Sequence, residues 1–267
     1  MNTFKGCRVR VATYNIHKCR GLDGRVRPDR ILRVLRELDA DIIALQEVLG
    51  GSRERPEDDH AHFVATHLGL NHCFGENRKH AGQRYGNALL SRFPIHVLSN
   101  HDLSAPRREP RGCLHAEVTL PTGEQLHLFN VHLGTSFFER RHQIRKLTSQ
   151  ILNAPESKGP RIVLGDFNEW THGVTSRTLR RQFVSPDLRT HLRQTRTYPG
   201  VLPFLHLDHI YFDPALSVRH MALHRNWPAL IASDHLPLVI DLLLGPRDPA
   251  ARAFQDDSEV LSFVGNN

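Results

Sequence analysis

Polar residues that can bind metal and phosphate recur along this chain directly after short apolar stretches. The motifs TYNIH, LQEV, NVHLG and GDFN each end an apolar run, and SDHLP and LDHIYF add further acids and histidines. Loops at strand ends are where rigid scaffolds present catalytic groups. Carboxylates, amides and histidines gathered there are what metal-assisted attack on a phosphate ester requires. The candidate residues are Asn15, Glu47, Asn87, Arg111, His132, Asp166, Asn168, Asp208, Asp234 and His235.

Acidic and amide side chains are the candidates for handling a metal ion and the attacking water. Glu47 ends the run DIIALQEV, where a carboxylate suits a hard cation such as Mg²⁺; a surface or capping glutamate is the ordinary interpretation. Asp166 and Asn168 stand two positions apart, so in extended chain they face one side and would align a water and a phosphate oxygen. A simple turn is the alternative for GDFN. Asn15 ends the first predicted strand and would support metal or phosphate, or serve a turn.

Two histidines are the candidates for proton transfer. His235 follows Asp234 in SDHLP, and with an acid behind the ring it would act as a general base. Asp208 is our candidate for that acid. His132 ends the strand LHLFNVH and would donate to the scissile phosphate or help the leaving oxygen depart. The chain has 19 histidines, so packing and surface roles remain the alternatives for both.

Basic charge favours an anionic partner. The net charge is +7 and the sequence pI is about 9.6, which favours nucleic acid, a phospholipid surface or a smaller phosphate ester. Arg111 would clamp phosphate through its planar fork, whereas Arg107 and Arg108 are assigned to the solvated rim. Asn87, in GNALLSRFP, is a second substrate-binding candidate. With two Trp and four Tyr, stacking platforms for single strands look sparse.

The cysteines and the hydropathy pattern predict where in the cell the protein is located. Four cysteines show no metal-finger spacing and are expected to be reduced, which predicts a cytoplasmic protein. The first residues are strand-like and lack the apolar core of a signal peptide. No stretch approaches the length of a membrane span, so any membrane contact would be peripheral. We expect a monomer.

Alternating strand and helix signals describe how the motifs are positioned. Strand patterns occupy 8–16, 41–48, a series between 71 and 132, 208–212, 217–224 and 236–243, and 161–168 reads as a strand followed by a turn. Helical patterns occupy 28–39, 58–68 and 136–153. Segments 49–60, 77–85, 104–111 and 185–206 read as loops. Consecutive strands at 86–132 interrupt strict alternation, which favours two mixed sheets covered by helices over one doubly wound sheet. We predict a single domain over 1–244 and a poorly ordered tail over 245–267.

Taken in order, the motifs resemble the endonuclease/exonuclease/phosphatase superfamily, the DNase I-like metal-dependent phosphoesterases. The similarity runs from Thr13 to Pro237. It implies an α/β fold, a four-layer sandwich of two mixed β-sheets flanked by helices, and a divalent cation, usually Mg²⁺ with Mn²⁺ as the alternative. It also implies roles: Glu47 as main metal ligand, Asn15 near metal and phosphate, Asp166 with Asn168 positioning water, Asp208 with His235 as the acid–histidine pair, Asp234 in the metal and histidine network, and His132 contacting phosphate.

Three functions follow from this resemblance. The first is a metal-dependent phosphodiesterase, above all a nuclease, that uses in-line attack of water with an Asp–His base. The second is a phosphatase or a phospholipase C-type phosphodiesterase acting on a lipid or small phosphate ester. NVHLG resembles the DNase I, sphingomyelinase and inositol-phosphatase branches more than the abasic-site nucleases, which tend to carry tyrosine at that position. A catalytically silent binding module is the third, and it would require the loss of a metal ligand or the base.

Overall fold

The computed structural model of the chain describes residues 6–51, 58–170, 173–186, 197–198 and 205–245. Within these ranges eleven strands form two sheets: β1 Cys7–Asn15, β2 Ile42–Leu49, β3 Asn71–His80, β4 Gln83–Ser91, β5 Ile95–Asp102, β6 Gly112–Thr119, β7 Gln125–His132, β8 Arg161–Asp166, β9 Asp208–Phe212, β10 Leu216–Leu223 and β11 Leu238–Leu244. The helices are α1 Pro28–Leu38, α2 His60–Leu68, α3 Phe137–Lys146, α4 Val174–Leu179 and α5 Trp227–Ala232. None of the helices in these ranges is long and apolar enough to cross a membrane.

Both sheets are mixed. The first has the order β10-β11-β1-β2-β4-β3 and the second β5-β6-β7-β8-β9. Only β1 with β2 and β7 with β8 pair in parallel among these neighbours. In each sheet the parallel pair ends at a predicted site motif, because parallel strands bring their carboxyl ends to one edge.

Three apolar clusters define four layers. The inner faces of the two sheets pack together through residues such as Val11 and Leu128. Helices α1, α2 and α5 cover the outer face of the first sheet, where Ile31 of α1 packs with Tyr14 of β1. Helices α3 and α4 cover the outer face of the second sheet, with Ile144 among the buried residues. The predicted four-layer sandwich of two mixed sheets is therefore confirmed.

Local sequence explains the best-predicted elements. Helix α1 begins with Pro28 at its first turn and ends at Leu38, and the next residue, Asp39, takes the left-handed conformation at φ 45°. Its apolar residues recur at helical spacing and are buried. Strand β2 is an apolar run covered on both faces by other layers.

The predicted loop over 77–85 is wrong. Strands β3 and β4 form a hairpin that turns at Ala81 and Gly82, both with positive φ. The polar composition misled the prediction because β3 is an edge strand, where charged side chains are tolerated. Helices α4 and α5 were not predicted, since each is only six residues long. Most of the predicted loop 185–206 and the tail from 246 lie outside the described residues, so the single domain with a disordered tail stays a prediction.

Candidate active site

The two sheets meet at one end through the residues that close their parallel pairs. Asn15 ends β1, His132 ends β7, Asp166 ends β8 and Asp208 begins β9. In the second sheet Asp166 stands directly opposite both His132 and Asp208 in the strand register. Hence three predicted site residues form one row across neighbouring strands, and the fourth faces them from the other sheet.

The Asn15 amide joins the two sheets at this end. Its Nδ2 donates to Glu47 Oε1 at 3.3 Å and to Asp166 Oδ2 at 3.0 Å. Its Oδ1 accepts from the His17 backbone N–H at 3.0 Å, which fixes the orientation of the amide. Two carboxylates on different sheets are thereby held on either side of one NH₂ group.

A bulge in β2 aims Glu47 at the site. The pairing of β2 with β4 shifts register between Leu45 and Val48, and Glu47 has φ 54°. Such a bulge re-aims a side chain, and the left-handed conformation of a non-glycine residue costs roughly 1–3 kcal/mol. Burial alone would raise the pKa of Glu47, but the nearby cationic groups, Lys18 and His132 when protonated, outweigh it and lower that pKa. The carboxylate is therefore ionised across the ordinary pH range.

His235 and Asp208 form a buried acid–histidine pair. His235 Nδ1 lies 2.8 Å from Asp208 Oδ2, so Nδ1–H donates to the carboxylate and Nε2 faces the site. Nε2 is 3.7 Å from Asp166 Oδ2. Burial by itself would lower the pKa of His235, but the Asp208 and Asp166 carboxylates outweigh it and raise the pKa well above its ordinary value.

Asp166 lies between the two histidines of the site. His132 Nε2 and His235 Nε2 are each 3.7 Å from its Oδ2, and burial raises the pKa of this carboxyl group. The Asn168 backbone N–H donates to Asp166 Oδ1 at 2.9 Å, and the Asn168 side chain donates to the Leu133 carbonyl at 2.8 Å. Strand β8 ends at Asp166 and Asn168 has φ 50°, so the predicted strand is followed by a turn, and the extended spacing that would place both side chains on one side is absent. A turn capped by the aspartate replaces the extended chain.

Arg111 and His132 are packed against each other. Arg111 Nη1 donates to the ring of His132, whose Nδ1 is 3.0 Å away, and Nη2 donates to Glu109 Oε2 at 2.9 Å. Burial and the guanidinium lower the pKa of His132 to about 4, so the ring is neutral at pH 7. The Arg111 side chain is buried and both terminal nitrogens have partners, so phosphate clamping by this residue stays a prediction.

The remaining two candidates occupy different surroundings. Asn87 is buried between the sheets, where its Nδ2 donates to the carbonyls of Gly112 and Asn130. Asn130 in turn accepts from the Gln46 side chain at 2.8 Å, so Asn87 belongs to an amide network that links the sheets. Asp234 is partly exposed beside the site, with Oδ1 3.5 Å from His17 Nδ1. The substrate and metal roles of these two residues stay predictions.

Two further side chains at the site, His17 and Lys18, were not assigned a role from the sequence. His17, Lys18 and Cys19 have φ of 44°, 58° and 57°, three consecutive left-handed residues without a glycine. The turn directs Lys18 Nζ onto Glu47 Oε2 and His17 towards Asp234. Backbone strain of this kind concentrates at functional sites. The only sequence signal is their position, since His17 ends the TYNIH motif and Lys18 directly follows it.

Comparison with known proteins agrees with this geometry. The model of the endonuclease/exonuclease/phosphatase family matches residues 12–235. The chain belongs to this family. The predicted superfamily is thereby confirmed, and membership makes the chain a hydrolytic phosphoesterase.

Relatives of the family show how widely the fold is shared. The protein YbhP of Escherichia coli strain K12 is 33% identical over 247 residues, which cover 88% of this chain and 96% of YbhP. A family protein from Bacteroides thetaiotaomicron has a TM-score of 0.73 at 17% identity, covering 91% of this chain and all of that one. The mannosyl-6-phosphatase Bt3783 of the same species has a TM-score of 0.71 at 16% identity, covering 88% and 99%. These structures share the fold.

The ligand atoms at the candidate active site fit a hard cation. Asp166, Asp208 and His235 offer ligand atoms within 4.8 Å of one another. Asp208 Oδ1 is buried without a hydrogen-bond partner among the described residues. Glu47 already forms an ion pair with the Lys18 ammonium group. Oxygen-rich donors around unbalanced negative charge are typical of divalent metal sites.

Proposed function

We propose that this phosphoesterase hydrolyses phosphodiester bonds with Mg²⁺, or Mn²⁺ in its place, and that nucleic acid is its first candidate substrate. The observation that carries this proposal is the 2.8 Å contact between His235 and Asp208, with Nε2 turned towards Asp166. A buried histidine oriented by a carboxylate is suited to take a proton from water. The net charge of +7 supports an anionic polymer as substrate.

The chain's own residues supply base, orientation and charge. A cation bound among the acids would lower the raised pKa of His235, so that the neutral ring accepts the proton of the attacking water at Nε2 and Asp208 stabilises the imidazolium that forms. Asp166, with the Asn168 backbone at its other oxygen, aligns the water opposite the leaving oxygen. His132 is neutral at pH 7 and donates to a phosphate oxygen from a ring nitrogen.

Glu47 is the main candidate to hold the cation, with Asn15 and Asp234 beside it. A bound divalent cation supplies Lewis-acid polarisation of the phosphate and stabilises the charge of the leaving oxygen. Asn15 keeps the Glu47 and Asp166 carboxylates close together. This closeness supports a shared role for the two acids in metal and water binding.

A substrate panel tests the proposal. DNA, RNA, a soluble aryl phosphodiester, inositol phosphates and sphingomyelin are each incubated with Mg²⁺, with Mn²⁺ and with EDTA. We expect hydrolysis of a diester that EDTA abolishes and that Glu47→Gln lowers by roughly a hundredfold or more. Hydrolysis that persists in EDTA, or a preference for monoesters alone, would refute the proposed reaction.

Salt dependence separates nucleic acid from small esters. Binding to duplex DNA releases several counterions, so its affinity should fall steeply with salt. A small phosphate ester or a soluble diester should show a shallow dependence. A shallow slope for DNA would remove nucleic acid as the first candidate substrate and leave the metal-dependent chemistry intact.

A further inference from the structure

Large apolar side chains are exposed mainly around the candidate site. Among the described residues eight such side chains are exposed, and two of them, Val97 and Leu98, lie on the edge strand β5. The other six lie in chain segments that begin or end at site residues. We call these six side chains the apolar rim: Leu22, Val26, Phe137, Phe138, Trp170 and Trp227. Single exposed apolar residues are ordinary on a soluble protein, but a set gathered around one site marks an interaction surface.

The segments that carry the apolar rim leave the sandwich at the same end. Residues 16–27 follow β1, residues 133–138 follow β7 and residues 167–170 follow β8, and these three strands end at the site. Helix α5 leads directly into Asp234 and His235. Because β11 runs antiparallel to β1, its first residues lie beside the end of β1. The three segments that follow β1, β7 and β8 therefore flank the mouth of the site. Helix α5 joins the first of them through its Ile231 carbonyl, and Trp227 stands at the outer end of this helix, next to Asn226, which contacts Glu37 of α1.

Side-chain and backbone contacts divide the apolar rim into two flanks. On the first, the Leu22 backbone N–H donates to the Ile231 carbonyl at 3.2 Å, and Trp227 lies one helical turn before Ile231. On the second, Arg140 of α3 lies with Cζ 5.7 Å from the centre of the Trp170 ring. Helix α3 begins with Phe137 and Phe138, whose rings meet edge to face at 5.5 Å.

The charge around the apolar rim is positive. Arg20, Arg25 and Arg27 are exposed within the loop that carries Leu22 and Val26. The acid of that loop, Asp23, is already paired with Arg30 at 2.7 Å. On the second flank two further arginines of α3, at 141 and 145, are exposed. Arginine interspersed with tryptophan, phenylalanine and leucine is the composition of surfaces that bind the lipid–water interface.

We propose that the apolar rim docks the protein onto an anionic phospholipid membrane. The six apolar side chains enter the headgroup region, and the arginines contact lipid phosphates. A lipid surface fits better than single-stranded nucleic acid, because Leu22 and Val26 have no ring on which a base would stack. Docking needs no hydrolysis; only its consequence, that headgroup phosphodiesters become substrates, rests on the proposed function.

Both tryptophans of the chain lie in the apolar rim, so intrinsic fluorescence reports docking directly. The full chain is titrated with vesicles of phosphatidylcholine alone and with vesicles that also contain phosphatidylglycerol. We expect a blue shift of the emission with the anionic vesicles, quenching by lipids brominated in their acyl chains, and reversal by salt. Trp170→Phe leaves Trp227 as the reporter, and Trp227→Phe leaves Trp170, so each flank is tested separately.

Residue-matched variants distinguish docking from a general loss of apolar surface. The double variant Leu22→Ser with Val26→Ser removes two members of the apolar rim, and Leu98→Ser with Val97→Ser removes the same residue types from β5. We expect the first to weaken binding to anionic vesicles by on the order of tenfold and the second to leave it unchanged. Hydrolysis of a soluble diester should stay at the wild-type rate in both.

Three outcomes would overturn the docking proposal. Unchanged emission with anionic vesicles is the first, and equal weakening by both double variants is the second. The third is loss of oligonucleotide binding in the first double variant without any vesicle binding by the wild type, which would make the apolar rim a base-contacting surface. Absence of soluble diester hydrolysis in the wild type would refute the proposed function and leave docking by the same vesicle titration intact.

Discussion

Two buried groups of histidines contact the second sheet at different places and have opposite electrostatics. At the site, His235 Nδ1 contacts Asp208 at 2.8 Å, and the pKa of the ring is raised. On the outer face of the same sheet, His115 Nε2 lies 3.2 Å from His127 Nδ1, and its ring stacks on Phe129. Burial and the neighbouring His127 ring lower the pKa of His115 to about 3.

The difference lies in the partner that each ring has. Burial disfavours the charged form in both groups, and only a carboxylate in hydrogen-bond contact reverses it. His127 Nε2 contacts the Lys158 carbonyl at 2.9 Å, and Glu117 Oε2 is 3.8 Å away, beyond hydrogen-bond distance, so the outer pair has a packing role. His235 has an acid behind it and a free ring nitrogen facing other acids, which is the arrangement that proton transfer needs.

The largest expected effect is on turnover. His235→Gln removes the base and should lower the rate of diester hydrolysis by on the order of a hundredfold or more. His115→Gln is the matched control: it changes another buried histidine, on the outer face of the second sheet, and turnover per folded molecule should stay within about twofold. Steady-state rates, normalised to folded protein by circular dichroism, measure both. Comparable losses in the two variants would contradict the distinction between the groups.

The next effect is on pH dependence. Asp208→Asn removes the charge that stabilises the imidazolium, so the pKa of His235 should fall. Because the base acts when deprotonated, the acidic limb of the pH–rate profile should move to lower pH. The maximal rate should fall by roughly tenfold to a hundredfold, since the imidazole remains but its tautomer is no longer fixed. A limb that moves to higher pH, or does not move, would argue against His235 as the titrating base.

The sequence predicts most of the strands whose ends position the site residues. Apolar runs ending in polar residues predicted where β1, β2, β7 and β8 end, and pairing of parallel strands then brings those ends together. What the sequence does not signal is local backbone geometry. The bulge at Glu47 and the left-handed turn at His17 and Lys18 lack the glycines that usually mark such conformations.

Long-range pairing is the other feature that composition hides. Lys18 meets Glu47 across the first sheet, and Arg111 meets His132 where β6 and β7 lie side by side. The SDHLP motif marks His235 in the sequence, whereas nothing marks His115 and His127 among the 19 histidines. The carboxylate contact that separates His235 from them is made by Asp208, 27 residues away in the chain.

A divalent cation should sharpen the contrast between the groups. Asp208 and Asp166 raise the pKa of His235, so a cation bound between these acids should lower that pKa. His115 and His127, on the outer face of the second sheet, lie away from these two acids. Ring-nitrogen NMR spectra of the full chain are recorded against pH with EDTA and with Mg²⁺. We expect the His235 titration to move to lower pH and that of His115 to stay in place. An unchanged His235 titration at saturating Mg²⁺ would exclude a cation beside it.

The smallest effect is on acid stability. Because the folded-state pKa of His115 is lowered, the unfolded chain binds the proton more tightly, so this residue's stabilising contribution is present above the unfolded pKa and is lost as pH falls from there. His115→Phe keeps a ring against Phe129 and removes that titration. The slope of the unfolding free energy against pH between about 6.5 and 4 should become shallower, by at most the contribution of about one bound proton.

Urea unfolding at several pH values measures this slope, and His96→Phe, on the partly exposed strand β5, is the control. An equal change in both variants would show that burial of His115 contributes nothing specific, and the outer pair would then be no counterpart to His235.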